Sequence, residues 1–229
     1  MKSFSKFLVI FLLSSSANID IISQSRFNIH VGPAFPVSKI DIYTVNFSDV
    51  YTVSSSAKTG INIGLQYAYQ FPDRGIGIFA GLDFVYNNII NEFKVSMDTL
   101  FSDFGYESYE FPKYYNIPIS AGLEYKYEIN EKYSLLCNLG MTYNFFRVTD
   151  YTYDTMFGDM LFEADWANSF GFRTAIGILY KQKASISIDF LGLGKHEVDI
   201  KMIDTGTVEM EGTKEAKVNM LTLTLGWNF

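Results

Sequence analysis

The sequence has one cysteine, two histidines and, beyond its N-terminal segment, no apolar run approaching the roughly 18 residues that a membrane-crossing helix needs. Cys137 has no partner in the chain, so an internal disulfide is excluded and the fold must be stable without one. The missing apolar runs exclude a helical membrane protein. No stretch rich in proline, glycine or serine divides the 229 residues, so one domain is expected after processing. Positive charge is also scarce. The net charge of −7, falling to about −9 if Lys2 and Lys6 are removed with a leader, argues against nucleic acid as a partner.

Apolar residues make up 48% of the chain and aromatics 17%, which rules out disorder. Lys2 and Lys6 precede Phe7–Leu13, and Ser14-Ser15-Ser16-Ala17 follows, the charge, apolar core and small-residue order of a secretory signal. Residues 1–23 are therefore expected to be a signal peptide, cut between about 17 and 24, with residues 24–229 as the exported domain.

That domain alternates between apolar and small or polar residues over eight stretches: Phe27–Phe35, Ile61–Phe71, Ile76–Tyr86, Tyr115–Tyr127, Tyr133–Phe145, Phe170–Tyr180, Ala184–Phe190 and Leu221–Phe229. In the second, Ile61, Ile63, Leu65, Tyr67, Tyr69 and Phe71 share a face opposite Asn62, Gly64, Gln66, Ala68 and Gln70. Three connections are short (71–75, 128–132 and 182–183). The other four are long and polar (roughly 37–58, 88–112, 147–168 and 193–217). Tight turns on one rim and long loops on the other predict an all-β fold, an eight-stranded antiparallel up-and-down transmembrane β-barrel.

A soluble, lipocalin-like barrel with an apolar interior would share the periodicity. Its water-facing side would be rich in Lys and Glu, whereas the polar face here is mostly Gly, Ala, Asn, Ser and Thr, which suits a narrow lumen. Aromatics add a second argument. Tyr69, Phe71, Tyr125, Tyr127, Tyr133, Tyr180, Trp227 and Phe229 fall beside the short turns or the C-terminus and form one expected girdle. Phe35, Tyr86, Tyr115, Tyr143, Phe145, Phe170 and Phe172 fall at the opposite strand ends. A strand from Tyr115 to Tyr127, tilted near 45°, spans about 28 Å, close to the apolar band of such barrels. Pro118 lies inside the fourth strand, where a closed sheet has no edge to hide its missing N–H, and a bulge is expected there.

By strand phase the lumen receives His30, Asp83, Glu124, Lys126, Arg173, Lys181 and Asp189. Burial of Arg173 is costly without carboxylates around it, so Arg173 is expected to engage Asp189 or Asp83 and plug the barrel. Asp83, Arg173, Asp189, Glu124 and His30 form the expected lumen charge network. It is read as holding the strands together, with a gate or proton path as the alternative.

No catalytic residue is expected. His196, in Lys195-His196-Glu197-Val198-Asp199, reads as a solvated residue of the fourth loop without a serine partner. No metal or cofactor is expected either, because no loop has the regular Asp spacing of a calcium site. The loops collect Asp98, Asp103, Glu107 and Glu110, then Asp150, Asp154, Asp159, Glu163 and Asp165, interleaved with Phe101, Phe104, Tyr106, Tyr151, Tyr153 and Trp166. Strands continued above the bilayer would explain them. Cations bridging to lipopolysaccharide, or aromatics binding a protein or glycan, are alternatives.

Arg26-Phe27-Asn28-Ile29-His30-Val31-Gly32-Pro33 and Tyr114-Tyr115-Asn116-Ile117-Pro118-Ile119 resemble the outer-membrane β-barrel family common in Bacteroidota, porin-like or PorT-like. Trp227 and Phe229 are similar to the C-terminal signal read by the barrel-assembly machinery, although Gly226 sits closer to the end than that signal's glycine usually does. The resemblance implies eight antiparallel strands in the outer membrane, both termini in the periplasm and long loops outside. Outer-membrane lipids, lipopolysaccharide and the barrel-assembly machinery are the implied partners, with envelope or secretion proteins beyond them. The expected function is non-enzymatic, structural or binding. Alternatives are an accessory of a secretion or gliding apparatus, a small-solute channel and a lipid-modifying enzyme.

Overall fold

The computed structural model describes residues 25–40, 44–46, 52–54, 56–72, 74–95, 98, 108–155, 158–204 and 207–229. The expected signal peptide and residues 99–107, with Phe101, Asp103, Phe104, Tyr106 and Glu107, lie outside them. Eight long strands are β1 (Ser25–Pro36), β4 (Gly60–Gln70), β5 (Ile76–Asn87), β7 (Tyr114–Glu128), β8 (Tyr133–Val148), β11 (Ala167–Tyr180), β12 (Ala184–Asp204) and β13 (Thr207–Asn228). Five shorter ones are β2 (Thr44–Asn46), β3 (Thr52–Ser54), β6 (Ser108–Glu110), β9 (Tyr151–Thr155) and β10 (Gly158–Ala164).

The long strands pair antiparallel in the order β1-β4-β5-β7-β8-β11-β12-β13, and β13 returns to β1 from Asn28↔Asn228 to Pro36↔Met220. The fold is an eight-stranded up-and-down β-barrel, closed so that the ring has no edge. Neighbours meet through short turns on one rim. Gly75 takes a φ of 60° in the first, and Lys181 and Gln182 take 47° and 59° in the last, at the centre of a tight turn closed by Lys183 N–H to Tyr180 O at 2.9 Å.

One strand shows how the barrel meets its solvent. Along β13, Thr222, Thr224 and Asn228 are buried toward the lumen while Leu221, Leu223, Leu225 and Trp227 are exposed outward. Above Leu221 the pattern inverts: Ala216, Val218 and Met220 turn inward and are fully buried, and Glu215 and Lys217 face out. Apolar residues outward below and inward above is what a strand shows on leaving hydrocarbon for water. The outward apolar belt continues round the ring through Ile29, Leu65, Ile78, Leu123, Leu139, Ile176 and Ile188, each at least 41% exposed. No helix among the described residues is long and apolar enough to cross a membrane.

Aromatics flank the belt at both ends. Phe71, Tyr125, Tyr127, Tyr133, Tyr180, Trp227 and Phe229 are exposed beside the short turns, with Tyr69 partly exposed and packed edge-on to Phe71 at 5.8 Å. Tyr133 pairs with Tyr180 at 5.2 Å, and Phe27 with Phe229 at 6.5 Å across the seam. On the other rim Tyr143 meets Phe145 at 5.0 Å and Phe170 at 4.9 Å.

Two prolines sit inside the ring without a bulge. β7 keeps one register with β5 from Ile76↔Tyr125 to Asn87↔Tyr114, but the ladder lapses at Asp83 and Phe84, opposite Pro118 and Ile117. The expected bulge at Pro118 is therefore corrected: the missing N–H falls on a rung that goes unmade. Gly32 and Pro33 leave a similar lapse between β1 and β13.

The fourth long connection is not an irregular loop over 193–217. β12 and β13 continue as a hairpin to Asp204↔Thr207, with a register shift between Gly192 and Lys195 where Gly194 takes a φ of 87°. Above the belt β12 leaves β11 and pairs with β10 from Ala164↔Ile200 to Met160↔Asp204. β10 pairs with β9, and β9 with β6, so a sheet rises beyond the outer rim. Strand extension thus accounts for the place of Tyr151, Tyr153, Asp154, Asp159 and Glu163, as well as Glu110, while Asp150 lies in the connection between β8 and β9.

Candidate functional site

The inward phase of the strands builds three layers within the barrel. In the short-turn half, Arg26 Nη2 donates to Glu124 Oε2 at 2.5 Å. Glu124 also accepts from Gln66 Nε2 at 3.2 Å and Gln70 Nε2 at 2.7 Å, and the Asn138 amide, in the orientation that satisfies it, donates to Oε2 at 3.1 Å. Glu124 is 1% exposed, so this set of donors replaces its water.

At mid-height lies the guanidinium of Arg173, 2% exposed. Nε and Nη2 donate to Asp189 Oδ1 at 3.0 and 2.6 Å, and Nη1 donates to Asp83 Oδ2 at 3.1 Å. Asp189 Oδ2 accepts from Ser187 Oγ at 3.0 Å and Thr224 Oγ1 at 3.4 Å. Asp83 Oδ1 accepts from Asn62 Nδ2 at 3.1 Å and lies 2.7 Å from His30 Nε2. The ring of Phe79, turned into the lumen, lies 5.9 Å from the Arg173 guanidinium carbon. Gly64 and Gly81 leave the room: a Cβ on Gly64 would strike Asp83 Oδ1 and His30 Nε2, and one on Gly81 would come within 3.2 Å of Arg173 Nη1.

The upper layer is apolar. Ala34, Val85, Tyr114, Phe146, Leu191, Leu193, Val218 and Met220 close over the charges, and Ile40, Ile89 and Phe93 enter from the long connections. Phe93 hangs from a helical turn over residues 91–95, tied down by Ile90 N–H to Ser56 O at 2.9 Å. His196 lies among them, fully buried, 5.1 Å from the Phe146 ring and 3.0 Å from Asn144 Nδ2. The solvated-loop expectation for His196 is corrected: the irregularity at Gly194 turns its side chain inward. Exposed Lys195 and Glu215, paired at 2.9 Å, place it above the apolar belt, and desolvation pushes its imidazole down to about 4.

Arg173, Asp83, Asp189 and His30 thus meet in one cluster. Glu124 sits in the layer below with Arg26. Arg26 shares the phase of Asn28 and His30, a signal lost by starting the first strand at Phe27. Lys126 reaches the rim and pairs with Glu128 at 3.0 Å. Lys181 is not in the lumen, because the hairpin turn takes it. A polar cavity of about 30 Å³ lies between Arg26, Asn28, His30, Gln66, Arg173 and Asp189, room for about two waters. Among the described residues, no three His, Cys, Asp or Glu side chains are arranged to hold a metal ion.

No protein-family profile matches the sequence, and no curated protein matches it. Solved outer-membrane proteins match the structure. OprG of Pseudomonas aeruginosa shares 14% identity over 90% of this chain and 96% of its own, with a TM-score of 0.49. Neisserial surface protein A shares 12% over 90% and 96%, with a TM-score of 0.45. Ail, the attachment invasion locus protein of Yersinia pestis, shares 14% over 90% and 99%, with a TM-score of 0.39.

Proposed function

We propose that this chain is an integral outer-membrane barrel with a closed lumen that serves the cell envelope through the sheet raised above its outer rim, without catalysis. The observation that carries the reading is Arg173 held between Asp83 and Asp189, with side chains no more than 3% exposed, beneath a fully buried apolar layer. We read such a stack, among the described residues, as closing the lumen to a continuous water path. His30 contacts Asp83 and Asn28, and His196 contacts Asn144 and Phe146, neither arrangement being one that activates a nucleophile. The belt and girdles support membrane lipid and lipopolysaccharide as neighbours. Export through the leader and insertion through Trp227 and Phe229 complete the reading. Conductance in planar bilayers tests it: a silent membrane is expected, and sustained ion currents would overturn it.

A second reading follows from the resemblance to PorT-like barrels of Bacteroidota, an accessory role in secretion or gliding. The outer sheet favours it, since among the described residues it ends at β6, whose outer side offers an edge on which a partner can dock. Deletion of the gene should then change the set of secreted proteins. An unchanged set removes this role.

A further inference from the structure

Just above the apolar belt, three neighbouring strands carry a lysine at one level. Lys195 of β12 pairs directly across from Lys217 of β13. β1 pairs with β13 as far as Pro36↔Met220, and beyond that rung Val37 N–H donates to Asn219 O at 2.9 Å and Ser38 Oγ donates to Lys217 O at 2.7 Å. This register brings Lys39 beside Lys217. All three lysines are exposed, and Phe35 and Val37, which share the phase of Lys39, are exposed below it.

Like charges directly opposite on one sheet face repel. Lys195 Nζ finds Glu215 Oε1 at 2.9 Å, but among the described residues neither Lys39 nor Lys217 has an ion-pair partner. The row does not belong to a wider basic surface, because the next rung up carries Glu197 opposite Glu215 and the whole chain has a net charge of −7. The cations form one layer between hydrocarbon and an acidic rim. Lysine suits that level, since its alkyl stem can lie along apolar surface while the ammonium reaches a headgroup.

Below the row lies a groove in the outer wall. Thr174 and Cys137 are small, and they sit between Leu123 and Tyr125 of β7 and Ile188 and Phe190 of β12, leaving a mostly apolar depression of about 680 Å³, the size of a ligand cleft. It extends from Ile76, at the short-turn end of β5, to Leu221, at the top of the belt on β13. The rungs of a tilted barrel climb its wall, so the groove rises obliquely toward the lysines. Leu221 lies four residues below Lys217, about 13 Å along the strand.

We propose that this face holds one phosphorylated lipid of the outer leaflet, with an acyl chain in the groove and a phosphate on the lysine row. Charge selects the headgroup. With Lys195 answered by Glu215, two positive charges are left. A phosphate monoester carries about −1.5 to −2 at neutral pH and balances them, whereas the phosphodiester of an ordinary phospholipid carries a single charge. The occupant is therefore the glycolipid that anchors lipopolysaccharide, through a monoester phosphate.

The test is native mass spectrometry of the intact barrel released from micelles doped with lipid A, dephosphorylated lipid A or phosphatidylglycerol. One lipid A should be retained, and each of the other two should bind at least about tenfold more weakly. Lys39→Gln combined with Lys217→Gln should weaken lipid A by at least about tenfold. Thr174→Trp, which fills the groove floor, should weaken it with the lysines intact. Lys214→Gln, an exposed lysine higher on β13, should change nothing. Equal retention of the three lipids, or undiminished lipid A in the double lysine variant, overturns the proposal, and both are decided whether or not Thr174→Trp folds. Undiminished binding by a folded Thr174→Trp overturns the groove as the seat of the chain. The inference rests on the reading above, in which the long-loop rim faces the outer leaflet, and the two fail separately: ion currents would refute the closed barrel, whereas a silent barrel indifferent to phosphate would refute the lipid site.

Discussion

Arg173 reaches diagonally across adjacent strands to place Nη2 2.6 Å and Nε 3.0 Å from the same oxygen, Oδ1 of Asp189, while Nη1 turns to Asp83. Breaking a buried pair of this kind strands the remaining charge, at about 3–5 kcal/mol. Arg173→Met should lower the free energy of folding into lipid vesicles, measured by urea titration, by that order. Adding Asp189→Leu should recover much of the loss, because Asp83 keeps His30 as its partner. A double variant no better than the single would show that the pair is not the unit that matters.

Gly64 is where backbone gives way to chemistry. An added Cβ meets Asp83 Oδ1 and His30 Nε2, with His30 Cε1 at 2.7 Å, so Gly64→Ala must displace the bond between them. Overpacking of this kind costs about 1–3 kcal/mol. The same vesicle titration should record it, and the NMR signals of the His30 ring should move. Gly212→Ala is the control, since a Cβ there meets nothing within 4 Å and should change neither.

The eight strands and their faces were legible because the belt forces a period of two. The phase also reached Asp83, Arg173, Asp189, Glu124 and His30, since inward positions in a barrel are every second residue. Two things were hidden. The upper hairpin alternates too, as His196, Val198 and Ile200 against Lys195, Glu197 and Asp199. Above the bilayer, however, the apolar side turns inward, and the shift at Gly194 changes the phase, so the stretch reads as a loop. The apolar plug draws Ile40, Ile89 and Phe93 from connections without any period, and only the folded chain brings them over the lumen.

The orientation of the apolar face predicts a depth-dependent penalty. Leu139 is 63% exposed at the middle of β8, level with Leu123 of β7, and Ile129 is 54% exposed in the turn that joins those strands. Leu139→Arg should cost about 2–4 kcal/mol in the vesicle titration, and Ile129→Arg about 0–1, because the charge there reaches the interface. Equal effects at the two positions would mean that the face does not meet hydrocarbon.

His196 makes the outer rim sensitive to acid. Its ordinary value of 6.5 is pushed down to about 4 by desolvation, so the folded rim holds the neutral ring. The stability this confers is complete above 6.5, where the unfolded chain is also neutral, and declines as pH falls through that window toward 4. Within it the folded-to-unfolded ratio should drop by up to about tenfold per pH unit on this account alone. Carboxylates titrate nearby, so the contrast with His196→Leu isolates the ring. Limited proteolysis of the β12–β13 hairpin should accelerate between neutral pH and about 4 in the native chain, and markedly less in the variant. Identical acceleration in both would assign the acid response to the carboxylates and remove His196 from it.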